Sequence, residues 1–155
     1  RDVLFVLEEF PVLGYMRQIE AAAGLMAGYN VKLWTVMQDL SQIKALYPKS
    51  WETFLGNAGI VEAFGNTDSV TLDYLSNRLG MTWAMQRQPE NLTLQAKASG
   101  QPNEREQIIS VPLMASYEIA QAFARDHGNK LVMIAGEKPF ALKRIFWKDM
   151  IRGRT

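Results

Sequence analysis

Short uninterrupted apolar runs alternate along this chain with stretches of helical period, and the first run is the most informative. Val3 to Leu7 are five consecutive apolar residues, followed at once by Glu8 and Glu9. A run without alternation suits a strand buried on both faces, as in a parallel sheet. Val31 to Met37 predicts a second such strand, and Gly59 to Phe64 a third. Helices are predicted between and after them. The first covers about 16–28, rich in Ala and closed by Gly28. A short helix from Ser41 to Tyr47 is broken by Pro48, and Ser50 can cap another through Leu55. Asp68 is a good N-cap for a helix to Leu79, where Gly80 stops it. A helix from about Met114 to Asp126, ended by Gly128, places Ile119, Ala122 and Phe123 on one face. Residues 86–107 are polar, contain Pro89, Gly100 and Pro102, and keep no sustained period, which predicts a loop or insertion. Lys130–Ala135 and Phe140–Trp147 read as a hairpin around Gly136-Glu137-Lys138-Pro139. Strands alternating with helices predict an α/β fold: a mostly parallel sheet, right-handed crossovers, helices on both faces and a C-terminal antiparallel hairpin.

The acids at the end of the first strand carry the candidate chemistry. Ligands of open parallel sheets bind outside the carboxyl ends of the strands, and nucleotide hydrolases place there one carboxylate near Mg²⁺ and another that orients the attacking water. Glu8-Glu9 after an apolar strand is therefore the outline of a Walker B element. A buried strand also simply needs a polar exit, so the pattern alone does not decide. On a strand the two carboxylates would point to opposite sides, as a division of labour between metal and water requires. Phe10-Pro11-Val12-Leu13-Gly14 ends the strand, because Pro donates no ladder hydrogen bond and Gly permits a turn.

Composition narrows the picture only a little. The 155 residues are 48% hydrophobic, enough for one core and one domain. Seventeen basic and sixteen acidic residues leave a net charge of +1, so no global attraction to nucleic acid follows. Zero cysteines exclude a disulfide scaffold and a thiolate metal site. No 18-residue apolar span and no signal-like segment occur, which predicts a soluble, cytosolic-facing piece.

The ordered series Leu7-Glu8-Glu9-Phe10-Pro11-Val12-Leu13-Gly14, Ala27-Gly28-Tyr29-Asn30-Val31 and Gln38-Asp39-Leu40-Ser41-Gln42-Ile43-Lys44 closely resembles the type IV secretion coupling proteins, the TraG/TraD-like conjugative ATPases. The resemblance continues through Trp51 to Gly59, Phe64-Gly65-Asn66-Thr67-Asp68 and Leu75 to Gly80, and resumes at Leu131 to Pro139. It implies a RecA-like P-loop NTPase core, of which residues 1–155 form the C-terminal part from Walker B onward. No Gly-x-x-x-x-Gly-Lys-[Ser/Thr] occurs, and Ala135-Gly136-Glu137-Lys138-Pro139 has neither the spacing nor the hydroxyl. The phosphate loop, an all-helical domain and membrane helices are expected upstream, and the isolated chain is expected neither to bind ATP tightly nor to hydrolyse it.

The resemblance also assigns roles. Glu9 matches the catalytic glutamate that aligns the attacking water. Glu8 stands where the family has Asp, as a Mg²⁺ residue acting directly or through water; its extra methylene puts metal placement in question. Gln38, at the carboxyl end of the neighbouring strand, is implied to sense the γ-phosphate. Asn57 reads equally as a site residue or a turn residue. Arg17 and Arg78 are candidates for an arginine acting in a neighbouring subunit, although solvated charge accounts for each. The cofactors implied are ATP and Mg²⁺. The partners implied are a homohexamer of the chain itself, single-stranded DNA with its relaxase or a protein effector, and secretion channel components, at the cytoplasmic face of the bacterial inner membrane. A different class, a non-hydrolysing docking domain on the same scaffold, is the alternative, with Glu8 marking lost catalysis.

Overall fold

The computed structural model describes residues 3–25, 30–89, 104–146, 148 and 150. Strands β1 (Val3–Leu7) and β2 (Val31–Thr35) pair in parallel, in register from Val3↔Val31 to Leu7↔Thr35. A parallel pair needs a crossover, and α1 (Arg17–Leu25) lies in it. The chain continues through α2 (Leu40–Leu46), α3 (Trp51–Gly56), β3 (Ile60–Ala63) and α4 (Ser69–Leu79). A long ribbon of β4 (Met81–Pro89) and β5 (Glu104–Pro112) follows, then α5 (Ser116–Ala122), β6 (Asn129–Ile134) and β7 (Phe140–Lys143). Helix starts follow local chemistry: Asp39 accepts from the Gln42 amide to begin α2, and Asp68 accepts from the Thr71 amide to begin α4.

The α/β composition is as the sequence predicts, but the mostly parallel sheet is not. Among the described residues β1–β2 is the parallel pair, whereas β3, β6 and β7 form an antiparallel sheet in the order β3-β6-β7. A single crossover helix returns a chain parallel to its first strand. Here two helices, α4 and α5, pack on each other between β3 and β6, and β6 enters from the opposite end.

The strand at Val3–Leu7 is also not buried on both faces. Val3, Leu4, Phe5 and Val6 are 47–54% exposed, and β2 is the strand hydrogen-bonded to them. The polar stretch 86–107 is a loop only in part. Gln86↔Gln107, Arg87↔Glu106, Gln88↔Arg105 and Pro89↔Glu104 are cross-strand partners, and Arg87 and Glu106 form an ion pair at 3.3 Å. Residues 90–103, between the strands, lie outside the described residues. The C-terminal hairpin is present, but its second strand ends at Lys143 rather than Trp147, which lies outside them too. The helix at 114–126 is shorter than its periodicity: α5 stops at Ala122 and a 3₁₀ turn over Arg125–His127 follows, closed by Gly128 at φ 68°.

Two apolar clusters hold the elements together. In one, Leu72 and Leu75 of α4 and Ile119 and Phe123 at α5 pack on Leu131 and Met133 of β6 and Ala63 of β3. The other gathers Phe10, Leu40, Ile43, Tyr47 and Leu55 beneath the end of β1. Tyr74 packs against both and meets the Trp51 ring edge-on at 5.9 Å.

Candidate functional site

The end of β1 is built to lift two carboxylates out of the ladder. The Val36 amide donates to the Leu7 carbonyl, and the Phe10 amide donates to the Val36 carbonyl, both at 2.9 Å. In an uninterrupted parallel ladder the residue donating to Val36 would lie two positions after Leu7; here it lies three after, so one extra residue is accommodated, as in a bulge. Glu8 and Glu9 form the exposed turn that results. Glu9 takes up the extra length in the left-handed conformation, φ 49° and ψ 45°, which is disfavoured for a residue with a Cβ. The carboxylates are thus not strand residues facing opposite sides, as the sequence predicts, and the turn, not the pleat, sets their directions.

What fixes that turn is Phe10. It is 1% exposed, stacks on Tyr47 with centroids 6.0 Å apart and meets Phe54 at 5.7 Å. Pro11 starts a 3₁₀ turn over Phe10–Leu13, and Gly14 at φ 74° leads out of it. The strained acid is therefore clamped by the ladder on one side and an aromatic anchor on the other.

Gln38 lies at the same carboxyl edge of the β1–β2 pair, three residues beyond Thr35, the register partner of Leu7. Its side chain is exposed, and its carbonyl accepts from the Asn66 amide group at 3.1 Å. Next to it, the Leu40 amide donates to the Thr71 hydroxyl at 2.8 Å. That hydroxyl and the Thr71 amide both donate to Asp68, each at 2.9 Å. A cavity of about 70 Å³ lies under this segment, lined by Gln38, Asn66, Thr71 and Tyr74 among others. The arrangement thus brings Glu8, Glu9 and Gln38 to one edge.

Two of the remaining candidates, Asn57 and Arg78, have structural employment. Asn57 donates to the Ala23 carbonyl at 2.9 Å and ties α3 to α1. Arg78 donates to the Tyr74 hydroxyl at 2.6 Å and to the Leu55 carbonyl at 3.3 Å, so it braces α4 against α3. Arg17 is exposed at the start of α1. Gly136, at φ 84°, forms the β6–β7 turn and not a phosphate loop. Glu20 accepts from Ser50 and, at 2.7 Å, from Tyr15. These bonds, the Ser50 bond foremost, hold the Glu20 carboxyl below the ordinary carboxylate value, and the Glu20 bond pushes the Tyr15 phenol up.

Among the described residues no three His, Cys, Asp or Glu side chains gather to hold a metal by themselves. Two adjacent exposed carboxylates do fit Mg²⁺, which commonly takes one or two protein carboxylates together with waters and substrate phosphates.

Comparison with known proteins decides the lineage. Residues 1–153 match the profile of the family described as type IV secretory system conjugative DNA transfer. The chain belongs to that family. It is 27% identical to the VirD4 protein of Agrobacterium fabrum, over 99% of this chain and 22% of that protein. It is 24% identical to the conjugal transfer protein TraG of Escherichia coli, over 96% of this chain and 25% of that one. The chain therefore spans about a quarter or less of the length of these curated relatives. Its fold is similar to that of the bacterial conjugative coupling protein TrwBdeltaN70, with TM-score 0.68 at 15% identity, over 94% of this chain and 32% of that one. TrwB has also been solved with the ATP analogue ADPNP and with ADP and Mg²⁺, and both match at TM-score 0.65.

Three residues around this candidate site escape a reading of local sequence: Phe10, Asn66 and Thr71. Phe10 carries a signal, since a large aromatic directly after two acids has to be buried somewhere. Asn66 lies within the Phe-Gly-Asn-Thr-Asp series, but its bond to Gln38 spans 28 residues and no periodicity announces it.

Proposed function

We propose that this chain is the Walker B portion of a RecA-like coupling-protein motor in a type IV secretion or conjugation system. The full-length protein hydrolyses ATP and moves single-stranded DNA with its relaxase, or a protein effector, towards the secretion channel. The supporting observation is the bulged turn that displays Glu8 and Glu9 at the carboxyl end of a parallel strand, beside the Gln38 segment, in a chain of the conjugative transfer family. The phosphate loop and all-helical domain come from elsewhere in that protein, which works as a homohexamer at the cytoplasmic face of the inner membrane.

Glu9 aligns the attacking water and accepts its proton, the work of a positioned general base. Its clamped backbone sets the carboxylate in advance, which is where such a group gains efficiency. Glu8 holds Mg²⁺ directly or through a water; when bound, the ion neutralises charge on the transferring phosphate. A Glu where the family has Asp reaches further, and the exposed turn leaves room for it. Gln38 hydrogen-bonds the γ-phosphate and responds to its loss.

Steady-state ATPase of the full-length protein across a Mg²⁺ titration tests this. Glu9→Gln is expected to keep nucleotide binding and lower kcat by roughly 10²-fold or more. Glu8→Ala is expected to abolish Mg²⁺-dependent turnover, and Glu8→Asp to match or exceed the parent. Parental kcat and Mg²⁺ dependence in Glu8→Ala would overturn the assignment. A protein that hydrolyses nothing, with both variants at parental levels of DNA transfer, is the docking-domain outcome.

A further inference from the structure

The Gln38 segment is held by two side chains from another part of the fold, and both arise at one helix start. Asn66 donates to the Gln38 carbonyl at 3.1 Å, and Thr71, in the first turn of α4, accepts from the Leu40 amide at 2.8 Å. They therefore grip the backbone on either side of Asp39, whose side chain caps α2 by accepting from the Gln42 amide at 3.0 Å. The grip has a rigid base. The Gly65 amide donates to the Phe123 carbonyl at 2.8 Å, and the Arg144 guanidinium lies 4.4 Å from the Phe64 ring centroid. Thr71 is 4% exposed, and its hydroxyl is fully engaged, accepting from Leu40 and donating to Asp68.

Two features argue that this junction does more than hold the fold together. The stretch Gln38-Asp39 bridges a cavity of about 70 Å³, while Met37 and Leu40 on either side of it pack into the Phe10 cluster, so the two hydrogen bonds hold the part that apolar contact does not. And Asp68, with Oδ2 taking both Thr71 donors, keeps Oδ1 buried with no partner, a costly arrangement for a helix cap that needs one oxygen.

We infer that Asn66 and Thr71 are positioning residues that set the reach of the Gln38 side chain and join the Gln38 segment to the start of α4. This rests on the reading of the chain as an ATPase part, and it deepens that reading by naming how the sensing segment is registered. A displacement of Gln38 on loss of the γ-phosphate is carried through Asn66 and Thr71 into α4, and from there to α5 and β6, on which α4 packs. The link is a pair of directional bonds, so it is specific to the donors and acceptors present and is lost when either is removed.

The test uses the full-length protein. Asn66→Asp keeps the shape but removes the donor, and Thr71→Val keeps the volume but removes the hydroxyl. Each is expected to lower kcat by about tenfold or more, since small misplacements of a catalytic group cost up to 10²-fold, while KM for ATP stays within about twofold. Thr71→Ser is expected to recover the turnover that Val loses. Independently of turnover, hydrogen exchange at the Leu40 amide should speed up in Thr71→Val and return towards parent in Thr71→Ser. Should Thr71→Val fail to fold, Asn66→Asp decides alone, with its thermal midpoint as the check on integrity. Folded Asn66→Asp at parental kcat, or Thr71→Ser no better than Val, overturns the inference. Glu9→Gln measured alongside separates the failures. If Glu9→Gln loses turnover while the Asn66 and Thr71 variants keep it, the positioning role is wrong and the motor reading stands. If Glu9→Gln keeps it as well, the motor reading itself has failed.

Discussion

Two of the three sheets among the described residues use apolar residues in opposite ways. In β6, Leu131, Val132 and Met133 are at most 6% exposed, and Leu131 and Met133 pack against α4 and α5. In β1, a run just as apolar is half exposed, and the first buried side chain after it is Phe10, beyond the two acids. Within this chain the β6 region is the packed half, and the β1 region leaves a display edge whose geometry is fixed at Phe10. The proposed site therefore lies on the less covered half, and hydrogen bonds from Asn66 and Thr71 tie it to the packed half.

The sharpest way to break this contrast is to compare truncations in the 155-residue chain by denaturant unfolding. Phe10→Ala and Leu75→Ala each empty a site in a packed cluster and should cost about 2–5 kcal/mol. Val6→Ala, at a position 51% exposed, should cost less than about 1 kcal/mol. If Val6→Ala proves as damaging as Leu75→Ala, β1 is covered in solution and the display edge is not there.

A smaller effect of opposite sign is expected at the turn itself. Glu9 holds a left-handed conformation that costs a residue with a Cβ roughly 1–2 kcal/mol relative to Gly. Glu9→Gly relieves this strain but also loosens the unfolded chain, so the net gain should be up to about 1 kcal/mol. The same change removes the carboxylate and should abolish turnover in the full-length protein. Stability rising while activity falls would identify strain kept for function. A fall in both would mean that Glu9 makes a stabilising contact the turn geometry does not reveal.

Legibility in the sequence follows the same divide. Elements with a strong local signal were readable: the apolar run of β1, the cap at Asp68, the stop at Gly80 and the hairpin turn at Gly136. The two acids and Gln38 stand out in the sequence because a strand's carboxyl end is a place where sites are built, and the structure has all three at one edge. The β4–β5 ribbon was not, since Gln86, Arg87, Glu106 and Gln107 are all exposed and no buried face imposes an apolar period. The antiparallel entry of β6 was hidden because pairing direction depends on α4 and α5 packing together, not on β6's own residues. The half-exposed β1 departs from its sequence because an apolar run reports what a strand would prefer, not what covers it. The bulge at Glu9 was invisible because glutamate has no preference for the left-handed region.

The smallest effect concerns the tether between α1 and the start of α3, which joins the display half to the Phe10 cluster. Glu20 accepts from Ser50 and Tyr15, and its carboxyl is held below the ordinary value in the folded chain. A carboxyl whose folded pKa is depressed binds fewer protons folded than unfolded, so its contribution is complete above the unfolded value, about 4.3. That contribution is lost as pH falls through the lower folded value. Tyr15 works in the other direction: with its phenol pushed up, its share is present below the ordinary tyrosine value and is lost as pH rises through the raised one. Unfolding of the parent and of Glu20→Gln, measured from about pH 7 to about pH 3, should show a gap that is widest at neutral pH and narrows in acid. A gap independent of pH would mean that the Glu20 charge plays no part, and that the tether holds α1 by packing alone.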